Sequence, residues 1–161
     1  MAKLIAICGK ICCGKSYYAN ILKQKENAVV LSCDEITSAI FDNNLGDNHD
    51  IITGRIKDYL LKKSVEILQT NTNVIFDWGF WNSEERKRIK DYFKALSLDC
   101  EFHFLDIDDE SWQINIKERN ERVLSGSSKD YYLDEGLLAK LLSLWQQPTK
   151  QEIDVWICWK R

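Results

Sequence analysis

Residues 3–16 read KLIAICGKICCGKS, and this stretch decides the fold. An apolar run, Leu4-Ile5-Ala6-Ile7-Cys8, leads into Gly9, four further residues, and then Gly14-Lys15-Ser16. That is the phosphate-binding pattern G-x-x-x-x-G-K-[ST] between a strand-like and a helix-like segment, the context it needs. Gly9 and Gly14 permit backbone angles that let successive N–H groups turn inward around a polyphosphate. The Lys15 ammonium is expected to reach the β/γ-phosphates and the Ser16 hydroxyl to ligate Mg²⁺. The helix that begins here points its positive end at the anion. Gly9, Lys10, Ile11, Cys12, Cys13, Gly14, Lys15, Ser16 and Tyr17 are the predicted nucleotide-binding set.

With 161 residues and a net charge of −3, the chain fits one domain, spanning 1–161. The charge gives no sequence-blind attraction to nucleic acid or anionic membrane. Met1-Ala2-Lys3 runs directly into the first strand, no apolar run approaches membrane-spanning length, and neither a leader nor a membrane contact is expected. Six cysteines without a C-x-x-C pair, beside only two histidines, argue against zinc. Most lie in apolar runs as small hydrophobes, so a reducing, cytoplasmic setting is expected.

Along the chain, strand-like and helix-like segments alternate, predicting an α/β domain with a mainly parallel sheet. Helices are expected over 16–25, 34–41, 50–70, 83–96, 108–124 and 137–145. Strands are expected over 28–32, 73–77, 101–107 and 153–159. Residues 42–48 read as loop, with the glycine one place early for a calcium-binding EF-hand. Asn82, with Glu85 three residues on, caps a helix that buries Ile89, Phe93 and Leu96 and shows Arg86, Lys87, Arg88 and Lys90 to solvent. Pro148 stops the last helix.

Ligands of open parallel sheets bind beyond the carboxyl ends of the strands. The second strand delivers Asp34 there, placed to orient an attacking hydroxyl and accept its proton, or alternatively to cap a helix. The third delivers Asp77, in the position of an acid that holds Mg²⁺. The next residue is Trp78 rather than glutamate, which favours transfer to a bound hydroxyl over attack by water. Asp106 competes with Asp77, although Asp108 and Asp109 beside it suggest a helix-opening cluster. Arg119 and Arg122, three apart on one helix face just before the flexible stretch 125–128, are candidates to neutralise a migrating phosphoryl group from a closing lid around 117–132. The alternative is a solvated mixed-charge face.

Taken together, GKICCGKS, Asp34, Asp77, Arg86, the run Arg119-Asn120-Glu121-Arg122 and the tail Trp145-Gln146-Gln147-Pro148 with Glu152 resemble one group of small P-loop kinases. The group holds the 5′-kinase domain of polynucleotide kinases, zeta toxins, chloramphenicol phosphotransferase and related zeta-like ATP-binding proteins. The resemblance spans nearly the whole chain. It implies a three-layer α/β/α P-loop NTP hydrolase fold with a five-stranded parallel sheet in 2-3-1-4-5 order and a small helical lid. It also implies ATP and Mg²⁺ served by Lys15 and Ser16, Asp34 as general base, and Arg119 and Arg122 working in the lid. Polynucleotide kinases often carry arginine three residues after the base, where this chain has Thr37, so a polynucleotide acceptor is disfavoured. Cys12-Cys13 replaces the usual small loop residues; simple steric tolerance is the expectation, and the alternative is redox control through a thiolate favoured near the helix N-terminus.

The expected function is an ATP-dependent phosphotransferase acting on a hydroxyl of a small molecule: a sugar, nucleoside, nucleotide-sugar or antibiotic. Trp78, Phe80 and Trp81 either line its acceptor pocket or belong to the core. The alternatives are a nucleoside monophosphate kinase gripping its acceptor with Arg55 and Arg86, a polynucleotide 5′-hydroxyl kinase, or a nucleotide-binding switch with little turnover. The absence of an N-K-x-D motif disfavours a GTPase.

Overall fold

Side chains of the first strand, β1 (Lys3–Cys8), alternate between two cores, and every residue from Leu4 to Cys8 is buried. Leu4, Ala6 and Cys8 join one cluster with Leu61, Val74, Phe76, Ile89 and Phe93, while Ile5 and Ile7 join another with Ala19, Leu22, Ile75, Trp112 and Ile116. A strand apolar on both faces must be covered on both, which fixes three layers. The computed structural model describes residues 1–160.

Around β1 lie β2 (Ala28–Leu31), β3 (Asn73–Gly79), β4 (Asp99–Ile107) and β5 (Val155–Trp159), all parallel, in the order β2-β3-β1-β4-β5. This is the expected sheet. The helices are α1 (Lys15–Lys25), α2 (Cys33–Phe41), α3 (His49–Gln69), α4 (Ser83–Ala95), α5 (Asp109–Leu124) and α6 (Glu135–Ser143). Side-chain caps set several starts: Ser32, Asn82, Asp108 and Asp134 each accept a hydrogen bond from the backbone N–H three residues on. Among the described residues no helix is long and apolar enough to cross a membrane.

Three expectations about elements fail. The last helix ends at Ser143 rather than at Pro148, and Trp145 lies beyond it, packed on Phe104 at 6.0 Å between ring centroids. Arg86 is not solvated; it is 2% exposed at the base of α4. Its Nε donates to Glu152 Oε1 (2.8 Å) and its Nη1 to the carbonyls of Phe80 (2.9 Å) and Gln146 (3.0 Å). The guanidinium ties the turn after β3 to the segment before β5, while Leu96, expected inside, is 45% exposed.

Burying a guanidinium is tolerable only because three acceptors meet it, so removing it takes a donor from the Phe80 and Gln146 carbonyls and the charge partner from Glu152, which keeps the Thr149 N–H. Arg86→Ala is expected to lower unfolding free energy by about 3 kcal/mol in urea titration. A loss under roughly 0.5 kcal/mol, the scale of a surface substitution, would contradict the clamp.

Candidate active site

The loop that joins β1 to α1 is held from three sides. From β3, the Gly79 carbonyl accepts the Gly9 N–H at 3.0 Å. From α5, Trp112 Nε1 donates to the Ile11 carbonyl (2.8 Å) and Asn115 Nδ2 to the Cys12 carbonyl (2.9 Å). From within, the Lys15 ammonium donates to the carbonyls of Gly9 (3.1 Å) and Lys10 (2.9 Å). These contacts hold Cys12 at φ +59°, a left-handed angle that costs a non-glycine residue on the order of 1–2 kcal/mol.

The two loop glycines serve different needs. Gly14, at φ +95°, caps α1 in the left-handed region, and a Cβ there would stand 3.0 Å from Trp159 Nε1. Gly9 is required by space: a Cβ would lie 2.4 Å from the Sγ of Cys13, which is fully buried and has nowhere to go.

Asp77 owes its aim to an irregularity. β1 and β3 pair in step from Leu4↔Val74 to Ala6↔Phe76, then slip, so that Cys8 meets Gly79 and β3 carries one extra residue. Such a bulge redirects side chains, commonly beside active sites. Here the Ser16 hydroxyl donates to Asp77 Oδ2 at 2.7 Å. The competing Asp106 is turned elsewhere; its Oδ2 accepts from Trp156 Nε1 at 2.9 Å, and it borders a separate small cavity.

Asp34 lies in the first turn of α2, and Ser32 rather than Asp34 caps that helix. Its carboxylate lines the same cleft of about 720 Å³ as Gly14, Lys15, Ser16, Tyr17, Asp77, Arg119 and Arg122. The cleft is concave, so Asp34 touches solvent and yet loses hydration. That lost hydration pushes its pKa above the ordinary aspartate value, Asp77 adds to the rise, and Lys15 and Arg119 oppose it.

Arg119 is only 18% exposed; its Nη1 lies 3.9 Å from Cys12 Sγ, its Nε donates to the Tyr131 carbonyl (3.3 Å), and its Nη2 is 4.0 Å from Asp130 Oδ1. Asn120 faces away and pins the returning chain, exchanging two hydrogen bonds with the Leu133 backbone. The expected lid is therefore a strap, residues 125–134, that crosses the cleft from α5. It is fastened to the end of α2 by Lys129–Asp42 (2.6 Å) and by the Tyr131 hydroxyl on the Asn43 carbonyl (2.5 Å).

Three readings left open by the sequence are resolved. Cys12 and Cys13 are not activated thiols: burial raises both pKa values and outweighs the lowering by Arg119 on Cys12 and by Lys15 on Cys13. Of the aromatic trio, Phe80 and Trp78 belong to the core, Phe80 fully buried and Trp78 stacked on Phe76 at 3.9 Å, whereas the Trp81 indole lies against Gly79, near Lys15. Arg86, bound as described, is unavailable to an acceptor, and Arg55 does not line the cleft. Residues the motif did not flag also belong here. Trp112, Asn115, Arg119 and Arg122 form one α5 stripe at helical spacing, and Trp159 meets Tyr17 at 5.9 Å across the cleft mouth.

Magnesium suits this donor set. Mg²⁺ takes hard oxygen ligands and keeps several waters, so a hydroxyl and one carboxylate beside phosphate oxygens suffice. Among the described residues no cluster of three metal-ligating side chains competes with it.

The sheet order, the loop and its flanking elements define a P-loop NTPase fold. The family model described as AAA domain matches residues 4–141, and the chain belongs to that family. No curated protein matches the chain. Among solved structures, a Chloroflexus aurantiacus protein provisionally named a kinase is 15% identical, with TM-score 0.73 over 98% of this chain and 86% of that one. The Mycobacterium tuberculosis APS kinase CysC, in complex with AMPPNP and APS, is 16% identical, with TM-score 0.68 over 99% and 90%. Chaetomium thermophilum Kti12 with ADP-AlF3 is 14% identical, with TM-score 0.67 over 97% and 88%. At these identities the likeness is one of fold.

Gly9→Ala is expected to weaken binding of Mg²⁺ and AMPPNP at least about tenfold in calorimetry, because the loop must open to admit the methyl group. Gly54→Ala, within α3 at an ordinary backbone angle and with no atom within 4 Å of its Cβ, serves as the control. Equal nucleotide affinity in both variants would contradict the loop assignment.

Proposed function

We propose that this chain is an ATP-dependent phosphotransferase that moves the γ-phosphoryl group to a hydroxyl of a small-molecule acceptor, within the zeta-like group of P-loop kinases. The observation that carries the reading is the convergence of Asp34, Lys15 and the α5 arginines on one cleft. A protein that only held nucleotide would need no second carboxylate facing the loop. The named kinase among the fold neighbours, captured with AMPPNP and APS, supports the same direction. The sequence pattern at Asp34, Asp77 and Arg119-Asn120-Glu121-Arg122 supports the narrower group.

In this reading the triphosphate lies in the loop, against the Gly14 and Lys15 amides at the positive end of α1. Trp159 and Tyr17 flank the base end. The Asp34 carboxylate orients the acceptor hydroxyl and takes its proton as the oxygen attacks. A bond forms from that oxygen to the γ-phosphorus, the bond to the β–γ bridging oxygen breaks, and ADP leaves with the electron pair. Lys15, Arg119 and Arg122 neutralise charge spread over the transferring group. Ser16 and Asp77 would hold Mg²⁺, which when bound screens the phosphate oxygens.

The strap closes the cleft against water, so transfer wins over hydrolysis. A nucleoside monophosphate kinase would require arginines around an acceptor phosphate. Arg86 is committed to its clamp and Thr37 is buried with its hydroxyl on the Asp34 carbonyl at 3.1 Å, so no observation favours that reading.

Asp34→Asn should lower kcat by roughly 10²–10⁴, the usual worth of a general base, with AMPPNP affinity nearly unchanged. A large loss of nucleotide affinity instead would make Asp34 structural. Because a base works only when ionised and burial raises its pKa, activity should fall as pH drops through a value above the ordinary 3.8 of aspartate. The pH–rate profile reads this limb directly. An acid limb unchanged in Asp34→Asn would assign it to another group.

Arg119→Ala and Arg122→Ala should each slow turnover at saturating substrates, by about 10–10³. Unchanged kcat in both variants would remove the arginines from the chemistry.

A further inference from the structure

The chain leaves β3 through two successive left-handed residues, Gly79 at φ +85° and Phe80 at φ +51°. Glycine adopts that region freely, but for phenylalanine it costs on the order of 1–2 kcal/mol. Fixed partners offset the cost. Phe80 is fully buried, and its carbonyl accepts from Arg86 Nη1 at 2.9 Å and from Cys8 Sγ at 3.5 Å. The next carbonyl, that of Trp81, accepts from the Gln146 amide at 2.8 Å. Strain of this kind persists only where the surroundings over-determine it, and it gathers at functional sites.

What the turn presents is the half-buried indole of Trp81. Its N–H edge is pressed against Gly79, where a Cβ would stand 2.6 Å from Nε1, 3.0 Å from Cδ1 and 3.5 Å from Lys15 Cε. An indole N–H only donates, and a tryptophan packed into a fold ordinarily finds it an acceptor. Trp78, Trp112 and Trp156 do so, on the carbonyls of Leu31 and Ile11 and on Asp106. Trp145 and Trp159 do not, and each borders a cavity that water can fill. Trp81 Nε1 has no acceptor among the described residues either, and it is not sealed from solvent.

Position decides which acceptor can come. Tyr17 and Trp159 mark one end of the phosphate-binding loop, where the base lies in the phosphotransferase reading. At the other end the Lys15 ammonium rests on the carbonyls of Gly9 and Lys10. Gly9 is tied to Gly79 at 3.0 Å, so a nucleotide laid along the loop brings its terminal phosphate to the Gly9–Gly79 junction. Trp81 is not itself part of the cleft wall; Lys15, which is, stands beside it. An ammonium drawn forward from those carbonyls onto the phosphate leaves the indole edge as the neighbouring donor.

We infer that Trp81 Nε1 donates a hydrogen bond to the terminal phosphate of the bound triphosphate, a further catalytic contact that tells triphosphate from diphosphate. The inference rests on the phosphotransferase reading and adds a donor to it. The indole keeps its proton throughout, since it has no basic site through which to exchange one. Its bond strengthens as charge gathers on the oxygens of the transferring group, so it lowers the barrier as well as holding the ground state.

The test needs no knowledge of the acceptor. In the full-length chain, the assigned ¹H–¹⁵N resonance of the Trp81 indole is followed by NMR through titrations with Mg²⁺–ADP and with Mg²⁺–AMPPNP. The indole proton is expected to move downfield with AMPPNP and to stay nearly in place with ADP, which lacks the γ-phosphate. Where calorimetry shows that both nucleotides bind, equal responses to the two, or none to either, overturn the inference. If calorimetry shows that neither binds, the phosphotransferase reading itself fails and the inference falls with it.

Trp81→Phe keeps a ring and removes the N–H. It should weaken binding of Mg²⁺–AMPPNP about tenfold, the worth of one hydrogen bond to a charged group, and change that of Mg²⁺–ADP less than about twofold. Equal losses for both nucleotides would mean that the indole only packs against Gly79, and the assignment is wrong.

Discussion

The rest of the site depends on one backbone contact, the hydrogen bond from the Gly9 amide to the Gly79 carbonyl. It fastens the start of the phosphate-binding loop to the end of the neighbouring strand at the point where the β1–β3 register slips. The slip places Asp77 beside Ser16, and Gly79 at φ +85° lets the chain turn with the Trp81 indole against it, where a Cβ would stand 2.6 Å from Trp81 Nε1. The loop, Asp77 and Lys15 therefore share one anchor. Both strands are apolar on both faces and fully buried over Leu4 to Cys8 and Val74 to Phe76, so the anchor sits on the stiffest part of the molecule.

Against that rigid floor, the opposite wall is assembled from pieces that are only tied. α5 brings Trp112 and Asn115 to the loop carbonyls and Arg119 to the cleft, while the strap beyond it is fastened to α2 through exposed groups on Asp42, Asn43, Lys129 and Tyr131. Exposed ion pairs contribute little individually, ~0–1 kcal/mol, so these ties hold the strap only weakly. Such a division would suit the proposed phosphoryl transfer, which calls for a fixed phosphate site and a cover that excludes water.

Much of this was legible in the sequence because it follows from local patterns. The G-x-x-x-x-G-K-S stretch, the double-faced apolar strands and the order of segments led to the sheet that the structure has, and Asp34 and Asp77 were found from their place at strand ends. What escaped depends on tertiary partners. Arg86 read as solvent-facing among Lys87, Arg88 and Lys90, and nothing local announced that Glu152 and two carbonyls would enclose it. The helix end beside Cys12 and Cys13 left thiol activation open as an alternative, and burial outweighs that field. Trp145 continued the apolar stripe of the last helix, but its partner Phe104 lies across the sheet and the helix ends before it.

The central claim is that a triphosphate in this loop presents its terminal phosphorus to Asp34. A crystal structure of the chain with Mg²⁺ and AMPPNP tests it most directly. The account predicts the γ-phosphate against Lys15, the metal between Ser16 and Asp77, and the Asp34 carboxylate facing the γ-phosphorus across room for one hydroxyl. Nucleotide bound with its phosphates outside the loop, or Asp34 turned from the terminal phosphate, would contradict it.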